Sequence, residues 1–251
     1  SASVIDSVGE RVSWKTVYNM LDKDGKTIMV ETQKWSMRIV DGEYDLDLEW
    51  QGDAQIDITI NEFAYGGMFL RMPWRKGMPA EVMNAARQKN KEADTQRSMW
   101  VNIGMQLEGR DDFANIAIFD HPSNDDSPVA WRVDGQFGVG PSRAISGDWK
   151  IDEGTRSTFK HRIVVHTGKL NDLKLTERWV DWSGNSYPYA TQLWQMAQEE
   201  GKKEKFLGPT EATEAMTLID GFEVNAWASE PMITQPMAFC WDDRGRMWIA
   251  E

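Results

Sequence analysis

The sequence predicts an all-β protein: an antiparallel β-sandwich or jelly-roll-like domain with a short helical insertion, then a helical connector to a truncated β-meander. Three observations carry that expectation. Apolar and polar residues alternate with a period of two over long stretches. Turn dipeptides such as Asp24-Gly25 and Asp41-Gly42 separate those stretches. No strand-helix-strand rhythm is visible that would call for a parallel sheet.

The elements follow in order. From Trp14 to Ile60 the runs Thr27-Ile28-Met29-Val30, Trp35-Ser36-Met37-Arg38-Ile39 and Tyr44 to Trp50 alternate as strands do, and Ile56, Ile58 and Ile60 continue the pattern. In the third run Tyr44, Leu46, Leu48 and Trp50 share one face and Asp45, Asp47 and Glu49 the other, which predicts a sheet packed on one side only. Ala80 to Ala93 lacks β-branched residues and reads as a short helix or loop. Strands resume at Met99 to Met105, Asn115 to Phe119, Ala130 to Val133, His161 to His166 and Lys174 to Trp182, about ten in all. Tyr189 to Lys203 has helical spacing and a charged tail. Beyond Leu218, Gly221 to Ala228 and Met247 to Glu251 read as strands of a β-meander that has only begun, too few to bury a core of their own. The expected division is therefore residues 1–186 for the sandwich, 187–217 for the connector and 218–251 for the second domain.

Composition removes several function classes. A formal net charge of -12 repels a phosphate backbone, and no basic stripe interleaved with aromatics offsets it, so nucleic acid is not an expected partner. Apolar runs are only a few residues long, so no membrane-spanning helix is expected. Cys240 is the only cysteine, which excludes an internal disulfide, a thiolate metal cluster and a CxxCH haem attachment within this chain. Nucleophile-elbow, phosphate-loop, zinc-protease and dinucleotide fingerprints are missing, and no cofactor or metal is expected. The 13 tryptophans serve either as core or as stacking platforms for the flat faces of sugars.

The segment Ile116 to Asn124 (Ile-Ala-Ile-Phe-Asp-His-Pro-Ser-Asn), with Trp131-Arg132-Val133 and Gln136 to Pro141, resembles the PmoA-like domain family (DUF6807-type) found in planctomycete and Bacteroidetes proteins. Gly66 to Arg71, Arg97 with Trp100, and His161 to Gly168 support the likeness, which covers about residues 14 to 182. The resemblance implies no catalytic assignment. Compared members carry a His-rich segment near their start with no counterpart before Trp14, so a site needing it is expected to be incomplete. The family's "methane oxygenase" label implies a membrane copper enzyme, an activity that three histidines and no membrane span do not support. Gly221 to Glu251 resembles the first propeller blade of large secreted haem-associated dehydrogenases from the same bacteria. That resemblance implies an exported parent, periplasmic or extracellular, whose further domains are partners of this one.

Candidate site residues gather around His121, whose imidazole can serve as a general base, a metal ligand or a sugar hydrogen-bond partner. Against that stands a plain rigid turn, since Asp and Asn beside Pro bond their own backbone. Arg97 and Arg71 can hold carboxylates or hydroxyls, or simply form ion pairs. Asp120 and Glu62 are a possible carboxylate pair for glycoside chemistry. Asn124, Trp131, Arg132, Trp100 and Trp149 complete the ligand-binding candidates, with core packing the alternative for the indoles. His161 and His166, five apart on one strand, fall on opposite faces; His161 reads as a core histidine and His166, at the strand's end, as the better candidate of the two, with a plain surface histidine the alternative. The leading expectation is a carbohydrate-directed module with a saccharide groove near Phe119 to Asn124. A sugar-active hydrolase or lyase with His121 as base, and a non-catalytic docking domain for a downstream propeller, are the alternatives.

Overall fold

A computed structural model describes residues 1–7, 9–185, 207–219, 221–229, 232 and 238–250. The chain forms two compact units, Ser1–Ala197 and Gln198–Glu251.

The first unit is an all-β sandwich. Its elements are β1 (Ala2–Asp6), β2 (Arg11–Leu21), β3 (Thr27–Val40), β4 (Glu43–Ala54), β5 (Ile58–Ile60), β6 (Leu70–Arg71), β7 (Ala80–Asn84), β8 (Trp100–Gln106), β9 (Phe113–Asp120), β10 (Trp131–Asp134), β11 (Gly138–Pro141), β12 (Trp149–Ile151), β13 (Arg156–Thr167) and a helix, α1 (Asp172–Ser183). One eight-stranded sheet runs β1-β2-β3-β4-β13-β9-β8-β7. Every neighbouring pair in it is antiparallel. The two runs either side of Glu31 are a single 14-residue strand, β3. Asp41 and Gly42, with φ of 52° and 78°, close the β3–β4 hairpin in the left-handed geometry that matches strand twist.

Two small sheets, β10-β11-β6 and β12-β5, cover the inner face. Val82, Val101, Ile103, Met105 and Ile118 pack there against Trp131, Val133 and Val139. Farther along the same face Met29, Ala54 and Ile151 close up with Trp50, Ile58, Ile60 and Trp149. On the outer face, Leu175 and Trp179 of α1 seal Trp100, Ala117, Phe119 and Val164.

Several elements differ from expectation, each for a physical reason. Ala80–Asn84 is a strand, because pairing with β8 buries Val82 and supplies its backbone partners; only Asn90–Ala93 makes a 3-10 turn. Lys174 to Trp182 lies in α1 and not in a strand. Asn171 caps its start by accepting from Lys174 N–H at 3.0 Å, and Gly184 ends it at φ 67°. The polar side of β4 is not solvated throughout. Asp45 is 2% exposed and is gripped by Arg38, Arg162 and Arg178, the last reaching down from α1.

In the second unit a short helix spans Pro209–Glu214, and Ala238–Trp241 pairs antiparallel with Met247–Ala250. Residues 222–229 form no strand, so the expected strand at Gly221 to Ala228 is not made. The helical connector expected over Tyr189 to Lys203 lies outside the described residues.

Candidate functional site

Strand periodicity builds a cavity on the inner face. Alternation along β3 puts Glu31, Gln33 and Trp35 on one side, and register sets them beside β4 and β13. Trp35, Leu48, His161 and Asp120 form one row across four strands; Gln33, Trp50 and Phe159 form the next. The covering wall comes from Gly66 to Met68, Pro141, Arg143 and Trp149. The cavity volume is about 390 Å³, within the range of small-molecule sites.

Aromatic rings dominate the walls. Trp50 lies 6.3 Å from Trp149 and 6.0 Å from Phe159, and Trp149 meets Phe159 edge-on at 5.1 Å. Gly52 makes room for this: a Cβ there would stand 2.7 Å from Met29 Sδ and closer still to the Trp50 indole. A polar rail runs along β3. Trp35 Nε1–H donates to Gln33 Oε1 at 3.1 Å, and Gln33 Nε2–H donates to Glu31 Oε1 at 2.6 Å, which fixes the amide's orientation.

His161 closes the inner end. Its Nδ1 sits 3.3 Å from the Phe119 carbonyl, which only accepts, so Nδ1 carries the proton. Asp120 Oδ1 lies 3.7 Å from the same nitrogen. Burial holds the His161 pKa down to about 4, so the ring is neutral and Nε2 has its lone pair free; no hydrogen bond to Nε2 is made among the described residues. Asp120 is fully buried and accepts from Asn124 Nδ2 (2.7 Å), Ser127 Oγ (2.8 Å) and Val129 N–H (3.2 Å). Burial outweighs those three donors and pushes its pKa up to about 6. At neutral pH the pair is a carboxylate behind a neutral imidazole.

The Phe119 to Asn124 segment therefore supports the cavity from behind. Asn124 uses its amide as the next rung of the ladder: Oδ1 accepts Lys160 N–H at 2.7 Å and Nδ2 donates to Lys160 O at 2.8 Å. His121 turns the other way, toward α1. Its Nδ1 accepts the Ser123 N–H at 3.1 Å, and its ring meets Trp182 edge-on at 5.0 Å. Burial, and after it Lys160, lowers its pKa. It lines an open groove on the outer face with Arg11, Lys34, Asp47, Glu49 and Lys160.

The remaining candidates are dispersed. Trp100 and Trp131 are fully buried, with Nε1–H donated to Thr176 Oγ1 and Ser98 O, so neither offers a ring face to a ligand. Arg97 ties Asp126 to Ser146. Arg71 pairs with Asp134 and Arg132 with Asp94. Glu62 is exposed and is not among the neighbours of Asp120. Trp149 alone of the tryptophans expected as platforms lines the cavity. His166, on the outer face, is buried against Asn102 Oδ1 at 2.9 Å. No group of three or more His, Cys, Asp or Glu side chains able to hold a metal occurs among the described residues.

Sequence reasoning passed over Glu31, Gln33 and Arg143, and placed His161 in the core. A signal was present: Met29, Glu31, Gln33, Trp35 and Met37 share one face of a strand, and polar residues in the middle of an apolar face call for an explanation.

Fold and cavity define a β-sandwich protein with an aromatic pocket on the inner face of its large sheet. The chain belongs to a family of unknown function (DUF6807), whose model matches residues 1–180. Residues 208–251 match a second domain of unknown function (DUF7133). No curated protein matches in sequence. Among solved structures, a putative kojibiose phosphorylase from human microbiome aligns over 74% of this chain at 7% identity and a TM-score of 0.36. The alignment spans only 22% of that protein's length. A galactose mutarotase related enzyme from Lactobacillus acidophilus (67% of this chain, 73% of that one) aligns at 6% identity and TM-score 0.29. A galactose mutarotase-like protein from Lactobacillus casei (65% and 72%) aligns at 9% and 0.31. No helix among the described residues is long and apolar enough to cross a membrane.

Proposed function

We propose that the first unit is a carbohydrate-directed module that takes a saccharide in the inner-face cavity. The observation that carries this reading is the pairing of aromatic walls (Trp35, Trp50, Trp149, Phe159) with the ordered polar rail Glu31–Gln33 and the free Nε2 of His161. Sugars present an apolar face that stacks on indole and a rim of hydroxyls that need planar, fixed partners. Phe119 to Asn124 then serves the site through Asp120 and Asn124 while His121 stays outside it. Calorimetry with a panel of mono- and oligosaccharides tests this on the whole chain: binding that Trp50→Ala weakens at least tenfold supports the proposal, and no binding by any member rejects it.

A second reading, a sugar-active hydrolase or lyase, is favoured by one observation. His161 presents to the cavity a neutral imidazole whose Nε2 lone pair is free to take a proton, although burial, which holds its pKa down to about 4, makes it a weak base. For that chemistry the geometry favours His161 over His121, whose Nδ1 is spent on its own turn. Turnover that survives His161→Gln would remove this role. We further propose, on sequence likeness, that residues 218–251 open a propeller in an exported parent protein; recovery of the parent in the cytoplasmic fraction alone would contradict it.

A further inference from the structure

We propose that the saccharide this cavity takes is acidic, with a carboxylate held by Arg143, an inference that rests on the saccharide reading above. Arg143 follows β11 at the head of a 3-10 turn, Arg143–Ser146, and is the one cation lining the cavity among the described residues. Its side chain is 18% exposed, yet it is only half used. Nε–H donates to Asp125 Oδ2 at 2.8 Å, and neither Nη group donates a hydrogen bond within the described residues.

Several other arginines of this protein behave differently. Arg110, Arg156 and Arg162 each spend Nε and Nη2 together on one carboxylate. Arg87 and Arg246, which like Arg143 donate through Nε, are 67% and 61% exposed and line no described cavity. A guanidinium that is largely out of water, anchored through Nε and open along its Nη edge, matches the two oxygens of a carboxylate.

Asp125, its present partner, is 58% exposed, so solvent screens their pairing and it offsets the guanidinium charge only in part. The opposite charge in the cavity, Glu31, rises from the floor on β3 and is already tied to Gln33, while Arg143 descends from the cover. A ligand with one carboxylate is therefore driven to a single orientation, acid group toward the cover and hydroxyls toward the rail. The protein's net charge of -12 opposes anions at long range, so the preference is local and resists salt better than surface attraction does.

Tryptophan fluorescence of the whole chain, titrated with methyl glucuronide and methyl galacturonide against methyl glucoside and methyl galactoside, tests the inference. The uronides are expected to bind at least tenfold tighter. Arg143→Gln is expected to bring them to the level of the neutral sugars while the neutral sugars change less than about twofold. Asp125→Asn, which leaves the guanidinium in place, is expected to tighten uronide binding. If neutral sugars bind as well as uronides, or if Arg143→Gln leaves the preference intact, the acidic-sugar inference falls and the saccharide reading stands. If neither class binds, both fall.

Discussion

Asp120 and His161 face one another across the β9–β13 pairing, with Oδ1 and Nδ1 3.7 Å apart and both side chains shut off from bulk water. One belongs to the most distinctive segment of the sequence and the other to the cavity wall. Their contact joins the two.

The pair predicts an unusual pH dependence of stability. Burial raises Asp120 from 3.8 to about 6, so the folded state keeps a proton that the unfolded chain has lost, and stability falls as pH rises through that window. Burial lowers His161 from 6.5 to about 4, so the unfolded chain takes a proton that the folded state refuses, and stability falls as pH drops below 6.5. The two slopes oppose, each about 1.4 kcal/mol per pH unit between pH 4 and 6. Urea unfolding of Asp120→Asn is expected to show stability rising with pH across that range, and His161→Gln to show it falling. Parallel curves for the two variants would refute the assignment.

The outer-face ion cluster predicts a graded response. Asp45 is buried among Arg38, Arg162 and Arg178, so Asp45→Asn leaves guanidinium charge with too little compensation and should cost about 3 kcal/mol. Lys34 and Glu49 pair on the same face with side chains 45% and 32% exposed, and Lys34→Ala should cost less than about 1 kcal/mol. Thermal melts at one pH separate the two outcomes; equal losses would mean that burial does not distinguish these pairs.

Gly52 predicts a link between packing and the site. An added methyl collides with Met29 Sδ and the Trp50 indole, both of which line the cavity, so either side chain that yields reshapes its wall. Gly52→Ala is expected to destabilise by about 1–3 kcal/mol and to weaken saccharide binding, read by calorimetry beside a melt. Unchanged binding in a destabilised variant would show that this wall does not shape the site.

The fold was largely legible because its cause is local. Period-two alternation in β3 and β4 and the Asp41-Gly42 turn specify a hairpin wherever they occur. The helix α1 was not, since Leu173 and Leu175 alternate with Asp172, Lys174 and Thr176 while the decisive signals, Asn171 and Gly184, are single residues at its ends. Legibility of the site ran the opposite way. Phe119 to Asn124 runs beside the cavity, but only register reveals that Asp120 points inward and His121 outward. Arg143 carries no signal in sequence, because which half of its guanidinium is free depends on Asp125 reaching it across the fold.

The face of the sheet that binds saccharide is the central claim, and one paired titration tests it. Under identical conditions, affinity for a saccharide bound by the unaltered chain is measured for His161→Gln and for His121→Ala. Loss of at least tenfold in the first, with less than a twofold change in the second, is the result the inner-face cavity predicts. The reverse pattern would contradict it and return the site to the outer groove beside His121.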